Sequence, residues 1–490
     1  MVALVVAVCF LAAVPTQARA GLFGSFSAED ERKLSEKFLV MVRERFEVND
    51  DPAVNAYINA IGARLAAQVD YKVFPYHFYV INNETLNAFA APGGHVFVFS
   101  GLINRLSNED ELASIMAHEI SHVACRHLAK QMDRSSKITL ATLALALAGA
   151  FLGGGGAATE AATMGSLAAG ATLSLKYSRA DEEEADRMGL RILCKSSYDG
   201  DEAAAALRTI YRFRWYGSDE IPTYLSTHPD MGERIGYIED MLLANAGTCT
   251  QHTPADPTAF KKVQTRLQAV TGDPKLCLAR AEGAVKERPG DFLAYYGLGL
   301  TQRRLERSTE AQAAFQQALK LRPKDPDILR DLGVSYFEAG KMADALGALK
   351  QAQTIRPDDA ATIYYLGRAS QEAGDINSAL ANYNRLVGAG LESYELYQHL
   401  GAAYAKKGDM AAGHYYSGLA FRMRGDLKNA VFHLSAALPL YKGRPEEQKV
   451  RDALKEAQDD LGNAPKEQRK EQDKDKGKGK GFVRLPQGMM

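Results

Sequence analysis

The residues best equipped for chemistry are His118-Glu119-Ile120-Ser121-His122, an HExxH pattern inside an apolar helical run of Leu112, Ile115, Met116, Ile120 and Val123. Residues four apart on a helix lie one above the other, so His118 and His122 point the same way and can share one metal ion. Imidazole suits Zn²⁺, and two nitrogens on one face supply two corners of a tetrahedron. Glu119 is turned about 100° around the helix axis. Its carboxylate can therefore reach the open side of the ion and take a proton from water there. In isolation, five such residues also fit a surface helix with solvated histidines. Against that plainer account, Asn108 followed by Glu111 reads as a capped helix start, and the apolar neighbours bury one side of the helix.

A catalytic zinc usually takes three protein ligands and keeps one position open. A carboxylate on a second helix is the natural third, and residues 177–186 (YSRADEEEAD) offer several. Glu182 and Asp186 are four apart and share a face. One can bind the ion while the other hydrogen-bonds a ligand; the bland alternative is a solvated acidic face. Farther on, His228 sits in Thr227-His228-Pro229, a loop entering a helix that carries Arg234. A lone histidine of this kind is more often structural than functional.

The elements that must position these groups are legible in outline. A helix runs from Ser27 to about Phe46, and another opens at Asp51-Pro52 with Asp as cap and Pro in the first turn. His77 to Ile81 alternates like a strand. Asn87 to Gly101 reads as two strands around a Pro92-Gly93-Gly94 turn. A strand edge beside the metal would bind an extended peptide backbone, which makes Asn87, Ala88, Phe89 and Ala90 candidate substrate contacts; otherwise this is an ordinary core hairpin. Residues 138–175 contain a single charge, Glu160. Within them the apolar run 138–152, ended by glycines at 153–156, falls short of a bilayer span, and the stretch fits a buried helical hairpin, a cover over the site, or a peripheral contact with membrane.

With 490 residues and a net charge of −1, the chain has room for about three domains and nothing that calls for nucleic acid. The first 20 residues read as an export leader: Val2 to Val14 is apolar and Ala18-Arg19-Ala20 is an A-x-A cleavage signature, although no basic residue precedes the run. Export leaves Cys125, Cys194, Cys249 and Cys277, which permit two disulfides or buried free thiols.

Four separated motifs, the 87–101 stretch, HExxH, Ser-Arg-x-x-Glu-x-x-Ala-Asp at 178–186 and Thr-His-Pro at 227–229, resemble the Ste24/HtpX-like zinc metallopeptidases in order and spacing. The resemblance covers about residues 25–245. It implies one Zn²⁺ per chain on His118, His122 and Glu182, with Glu119 as general base and acid, Asp186 in support, and Arg234 supporting His228. It also implies that His228 either occupies the fourth zinc position and holds the enzyme inactive, or helps to stabilise the oxyanion. Both cannot hold in one conformation.

Behind this region, Leu-Gly recurs at 298, 332, 366 and 400, a step of 34 residues, the tetratricopeptide (TPR) period. Each such unit is a helical hairpin that buries its face only by stacking, giving a solenoid with a concave groove. Gly418 restarts the pattern half a period after Gly401, so one helix near 410–423 serves two units. Past Gly462 the chain is charged and glycine-rich and reads as a solvated tail.

The expected architecture is mainly α: a zincin-like α+β metallopeptidase domain with a small sheet (21–250), an all-α TPR solenoid (251–461) and a charged tail (462–490). The resemblance, the leader and the repeats together imply a periplasmic endopeptidase in outer-membrane protein quality control. Its partners would be unfolded or stalled outer-membrane proteins and the β-barrel assembly machinery, met through the TPR groove. The alternative is an assembly chaperone whose peptidase is normally latent.

Overall fold

The computed structural model describes residues 26–133, 177–216, 223–244, 249 and 256–463. The leader, the apolar stretch 138–175 and the tail from 464 lie outside them. The chain divides into two compact units, 1–264 and 265–490.

The first unit opens with α1 (Ala28–Arg45), started by a reciprocal capping box between Ser27 and Asp30, and α2 (Pro52–Ala66), capped by Asp51. Three short strands follow, β1 (His77–Ile81), β2 (Ala88–Ala91) and β3 (His95–Phe99), in the order β1-β3-β2. β1 pairs parallel with β3 and β2 antiparallel to it, with Ala90 opposite Val96. Gly93 and Gly94 make the β2–β3 turn with φ of 78° and 88°, a region open to glycine without steric cost. The sheet is held from one side by α1: Leu34, Phe38 and Val42 pack on Phe89, Phe97 and Phe99. Each buried phenylalanine contributes on the order of 1.5–3 kcal/mol, so β2, the strand nearest the site, is firmly anchored.

After the short α3 (Ser100–Ile103), α4 (Glu109–Ala124) carries HExxH. Asn108 caps it by accepting the Glu111 amide, whereas the Glu111 carboxylate accepts from the Ser107 amide rather than closing the box on Asn108. The apolar pattern predicts burial on one side; the structure buries every residue from Asp110 to His122, because α2, β2, α6 (Arg179–Lys195) and α7 (Asp201–Tyr216) all pack on α4. The unit also contains α5 (His127–Asp133), α8 (Thr223–Thr227) and α9 (Met231–Ala244). Of the cysteine alternatives, Cys194 pairs with Cys249, while Cys125 and Cys277 are free thiols.

The second unit takes in the end of α10 (Pro257–Val270) and then α11 (Pro274–Glu287), α12 (Phe292–Arg304), α13 (Ser308–Leu321), α14 (Pro326–Glu338), α15 (Met342–Ile355), α16 (Ala360–Glu372), α17 (Ile376–Gly388), α18 (Tyr394–Lys407), α19 (Met410–Met423), α20 (Leu427–Leu440) and α21 (Glu447–Asn463). The repeated glycine has a steric cause. A Cβ on Gly299, Gly333 or Gly367 would come within 2.5–2.6 Å of the side chain sixteen residues later, Phe315, Leu349 or Tyr383. Gly418 meets Leu434 at the same offset, and α19 packs on both α18 and α20. One helix therefore closes one hairpin and opens the next, as the half-period spacing implies.

Asp331 is buried at the heart of the early repeats. It accepts from Tyr296 Oη at 2.6 Å and is ringed by Arg266, Arg330 at 3.3 Å and Arg303 at 3.5 Å. Burial alone would raise its pKa, but the three guanidiniums outweigh that and hold it well below the usual aspartate value of 3.8.

Two outcomes follow. Gly333→Ala is expected to destabilise the repeats by about 1–3 kcal/mol through overpacking on Leu349, whereas Gly347→Ala, at a helical position open to solvent, gains up to about 1 kcal/mol; urea unfolding followed by circular dichroism separates them. Asp331, with its folded pKa depressed, contributes stability that is complete above its unfolded value and drains away as pH falls below about 4. Asp331→Asn should therefore destabilise the repeats at pH 7 and flatten the acid limb of their stability profile, read as melting temperature against pH.

Candidate metal centre

The capping box at Ser178 and Asp181 sets the start of α6, so that Glu182, Ala185, Asp186 and Gly189 form its buried face. Gly189 lets that face approach α4 closely: a Cβ there would lie 3.2 Å from the His118 backbone. The approach carries Glu182 Oε1 to 3.6 Å from His122 Nε2 and Glu182 Oε2 to 3.6 Å from His118 Nε2. The two histidine Nε2 atoms are 2.9 Å apart. His228, at the end of α8, adds its Nδ1 at 3.4 Å from His118 Nε2 and 3.0 Å from Glu182 Oε1.

These four donors, all buried, lie within 4.8 Å of one another. In a tetrahedral shell with metal–ligand bonds of about 2.0–2.1 Å, neighbouring donors sit about 3.3 Å apart. The distances in the structure bracket that value, so the residues fit a divalent metal. The electrostatics agree. Burial, reinforced by the neighbouring histidines and Arg234, pushes the His122 pKa well below the ordinary value, keeping the imidazole neutral as a ligand requires. Burial would raise Glu182, but His228, Arg234 and His118 outweigh it and keep the carboxylate ionised.

Glu119 lies beside this set and is wholly buried. Neither of its carboxylate oxygens makes a well-aligned hydrogen bond among the described residues; His228 Nε2 is 3.5 Å from Oε1. Burial raises its pKa to about 7, with His118, the nearby Ala90 amide and Arg234 pulling it down and Glu182 pushing it up. A carboxyl poised near neutrality suits a group that takes and returns protons.

Asp186 accepts from His118 Nδ1 at 2.8 Å, and Arg234 clamps it through Nε at 2.8 Å and Nη2 at 2.7 Å. Arg234 Nη1 reaches Glu182 Oε2 at 2.6 Å, so Arg234 is linked to His228 through Glu182. Tyr237 also donates to Asp186.

The remaining candidates divide. Ala90 brings its backbone to Glu119, and β2 is one of the two outer strands of the sheet. The Phe89 side chain points into the core, stacked on Phe97 at 4.9 Å, and Asn87 and Ala88 are buried. The Phe89 ring is thus a core group and not an open contact surface. Two walls of the site escaped sequence reasoning. Tyr177 stacks on His122 at 3.9 Å and Tyr224 lies 4.4 Å from His228, ring to ring. An aromatic residue five before a ligand carboxylate, or four before a histidine, carries no recognisable signal by itself. His127 also escaped notice; its Nδ1 is 2.9 Å from His122 Nδ1.

Residues 52–242 match the model of peptidase family M48, and residues 296–360 match a tetratricopeptide-repeat model. The chain is 29% identical over 308 residues to the beta-barrel assembly-enhancing protease of Yersinia pestis, covering 60% of each chain. It is 35% identical over 212 residues to the protein of that name from Escherichia coli (strain K12), covering 42% of each. It is 29% identical over 186 residues to the mitochondrial metalloendopeptidase OMA1 of Schizosaccharomyces pombe, covering 38% of this chain and 52% of that one. The match thus spans 42% to 60% of the length of these assembly-enhancing relatives.

Arg234→Met would leave Asp186 and Glu182 buried without their cation. Metal-free protein carrying it is expected to lose about 3–5 kcal/mol of stability, measured by urea unfolding of the peptidase unit.

Proposed function

From an M48 peptidase domain at residues 52–242 with tetratricopeptide repeats behind it, we propose that this chain is an exported, periplasmic zinc endopeptidase of outer-membrane protein quality control. The observation that carries the enzymatic part is the convergence of His118, His122, Glu182 and His228 on one point, with the Glu119 carboxylate buried alongside. His118, His122 and Glu182 would hold the zinc, whose contribution when bound is to polarise the scissile carbonyl and acidify water. Glu119 takes a proton from the attacking water at its carboxylate and passes it to the departing amine. The β2 edge aligns an extended peptide backbone beside it. Asp186, held by Arg234, keeps the His118 ring in the tautomer that turns Nε2 to the metal. The clients, on this reading, are unfolded or stalled outer-membrane proteins, with the repeats binding them or the β-barrel assembly machinery. The names of the Yersinia and Escherichia relatives support that choice.

A specific observation favours a second reading of the resting state. His228 Nδ1 stands among the ligand atoms, in the place a catalytic site keeps open. A fourth protein ligand there excludes the attacking water, so the peptidase would rest latent and the protein would act chiefly as an assembly chaperone until His228 withdraws.

Cleavage of an unfolded protein by zinc-loaded enzyme tests both readings. Glu119→Gln is expected to lower turnover by at least about 100-fold; unchanged turnover would remove Glu119 from the mechanism. His228→Ala is expected to raise turnover if the histidine is a latch. A fall would instead make His228 part of the active machinery and the enzyme constitutively open.

A further inference from the structure

His122 and His127 are five apart, which on one continuous helix would place them about 140° apart around the axis. They meet because α4 ends at Ala124 and Arg126 takes a left-handed φ of 53°, turning the chain back so that α5 begins at His127. The His127 ring is wholly buried, with Nδ1 2.9 Å from His122 Nδ1 and Nε2 3.0 Å from Glu184 Oε2. Lys130 holds Glu184 from outside at 3.2 Å.

The proton positions in this chain are forced. Once His122 Nε2 gives its lone pair to a metal, the neutral ring carries its proton on Nδ1. Only one proton fits in a 2.9 Å nitrogen–nitrogen gap, so His127 Nδ1 must be the acceptor. The His127 proton then resides on Nε2, where Glu184 accepts it. We propose that His127 is a positioning residue for the metal centre, fixing the tautomer and ring orientation of His122 through this hydrogen-bonded chain to Glu184. The two histidine ligands are thus set by different devices: His118 by a buried carboxylate clamped by Arg234, His122 by a neutral imidazole anchored to a carboxylate at the surface. This assignment rests on the metal-site reading above.

The same geometry argues against a competing use of these residues. Cys125, His127 and Glu184 also bring ligand atoms within 4.8 Å of one another. An ion on His127 Nε2 would drive the proton to Nδ1, facing the His122 Nδ1–H, and two donors would oppose each other. A second ion and a metal-bound His122 are therefore incompatible.

Zinc content, and zinc affinity by competition with a chromophoric chelator, test the assignment on the full chain. His127→Leu, which removes the acceptor, is expected to weaken zinc binding about 10–100-fold. His127→Asn, whose Oδ1 stands near the lost Nδ1, should recover to within about 3-fold of wild type. Equal weakening by both variants, or by neither, would overturn the proposal. So would two zinc ions per wild-type chain with one lost on either substitution. Should His127→Leu not fold, the zinc-loaded wild type decides: nitrogen-15 histidine spectra should show His127 protonated at Nε2, and protonation at Nδ1 would refute the chain. If His118→Ala retains tight zinc, the metal-site reading itself fails, whatever His127 does.

Discussion

Charge balance in a buried pocket constrains everything else in the peptidase unit. Glu182, Asp186 and Arg234 are all buried together, and two carboxylates against one guanidinium leave a net negative charge. Glu119, in the same pocket, adds another when ionised. An uncompensated buried charge costs several kcal/mol, and the protein side of the balance shows that cost in the Glu119 carboxyl, raised to about 7 by burial. A divalent cation held among the three imidazoles and Glu182, as proposed above, would offset the deficit. On that reading the ion would stabilise the fold as well as supply the chemistry, in keeping with the general coupling of metal binding to folding.

That pocket exists because secondary structure delivers its members from separate parts of the chain. Asn108 and Ser178 start α4 and α6 at fixed residues, which sets the phase of each helix and hence which side chains look inward. Gly189 brings the two helices together at His118. The phenylalanine cluster under β2 places the Ala90 backbone beside Glu119. Arg234 on α9 ties α6 to α9, since its two carboxylate partners both lie on α6. The repeats use a different device for the same end: a missing Cβ at every Leu-Gly step lets paired helices close, and a buried Asp331 among arginines ties successive hairpins.

The parts legible in the sequence were those governed by short periods. HExxH, the i to i+4 relation of Glu182 and Asp186, the caps at Ser27, Asp51 and Asn108, the hairpin around Gly93-Gly94 and the repeat step all express helix, turn or solenoid geometry directly. What stayed hidden depends on long-range packing or on a local break in periodicity. Burial of α4 on every side comes from elements far along the chain that close around it, which no window of its own sequence records. Tyr177 and Tyr224 meet the histidines only after α6 and α8 have docked. His127 is out of phase with His122 until Arg126 adopts its left-handed conformation, and an arginine gives no warning of that as a glycine would. Phe89, read as a candidate substrate contact, is a core residue because alternation in β2 turns its ring toward α1.

His228 makes the latent reading physically economical. Its two nitrogens face different groups, Nδ1 standing among the candidate ligand atoms and Nε2 lying 3.5 Å from the Glu119 carboxylate. On the latent reading, one ring would fill the position of the attacking water and stand 3.5 Å from the base that would deprotonate it. Its ring is wholly buried, with Tyr224 at 4.4 Å and Tyr177 at 5.4 Å. A rotation about its own side-chain bonds would drive it into those rings, so withdrawal demands displacement of the backbone segment that carries it. That segment is bounded by the one-turn helix α8 and by Pro229 and Asp230, the latter with a φ of 62°. On the latent reading, opening the site would fall to the α8–α9 junction, because that junction carries His228.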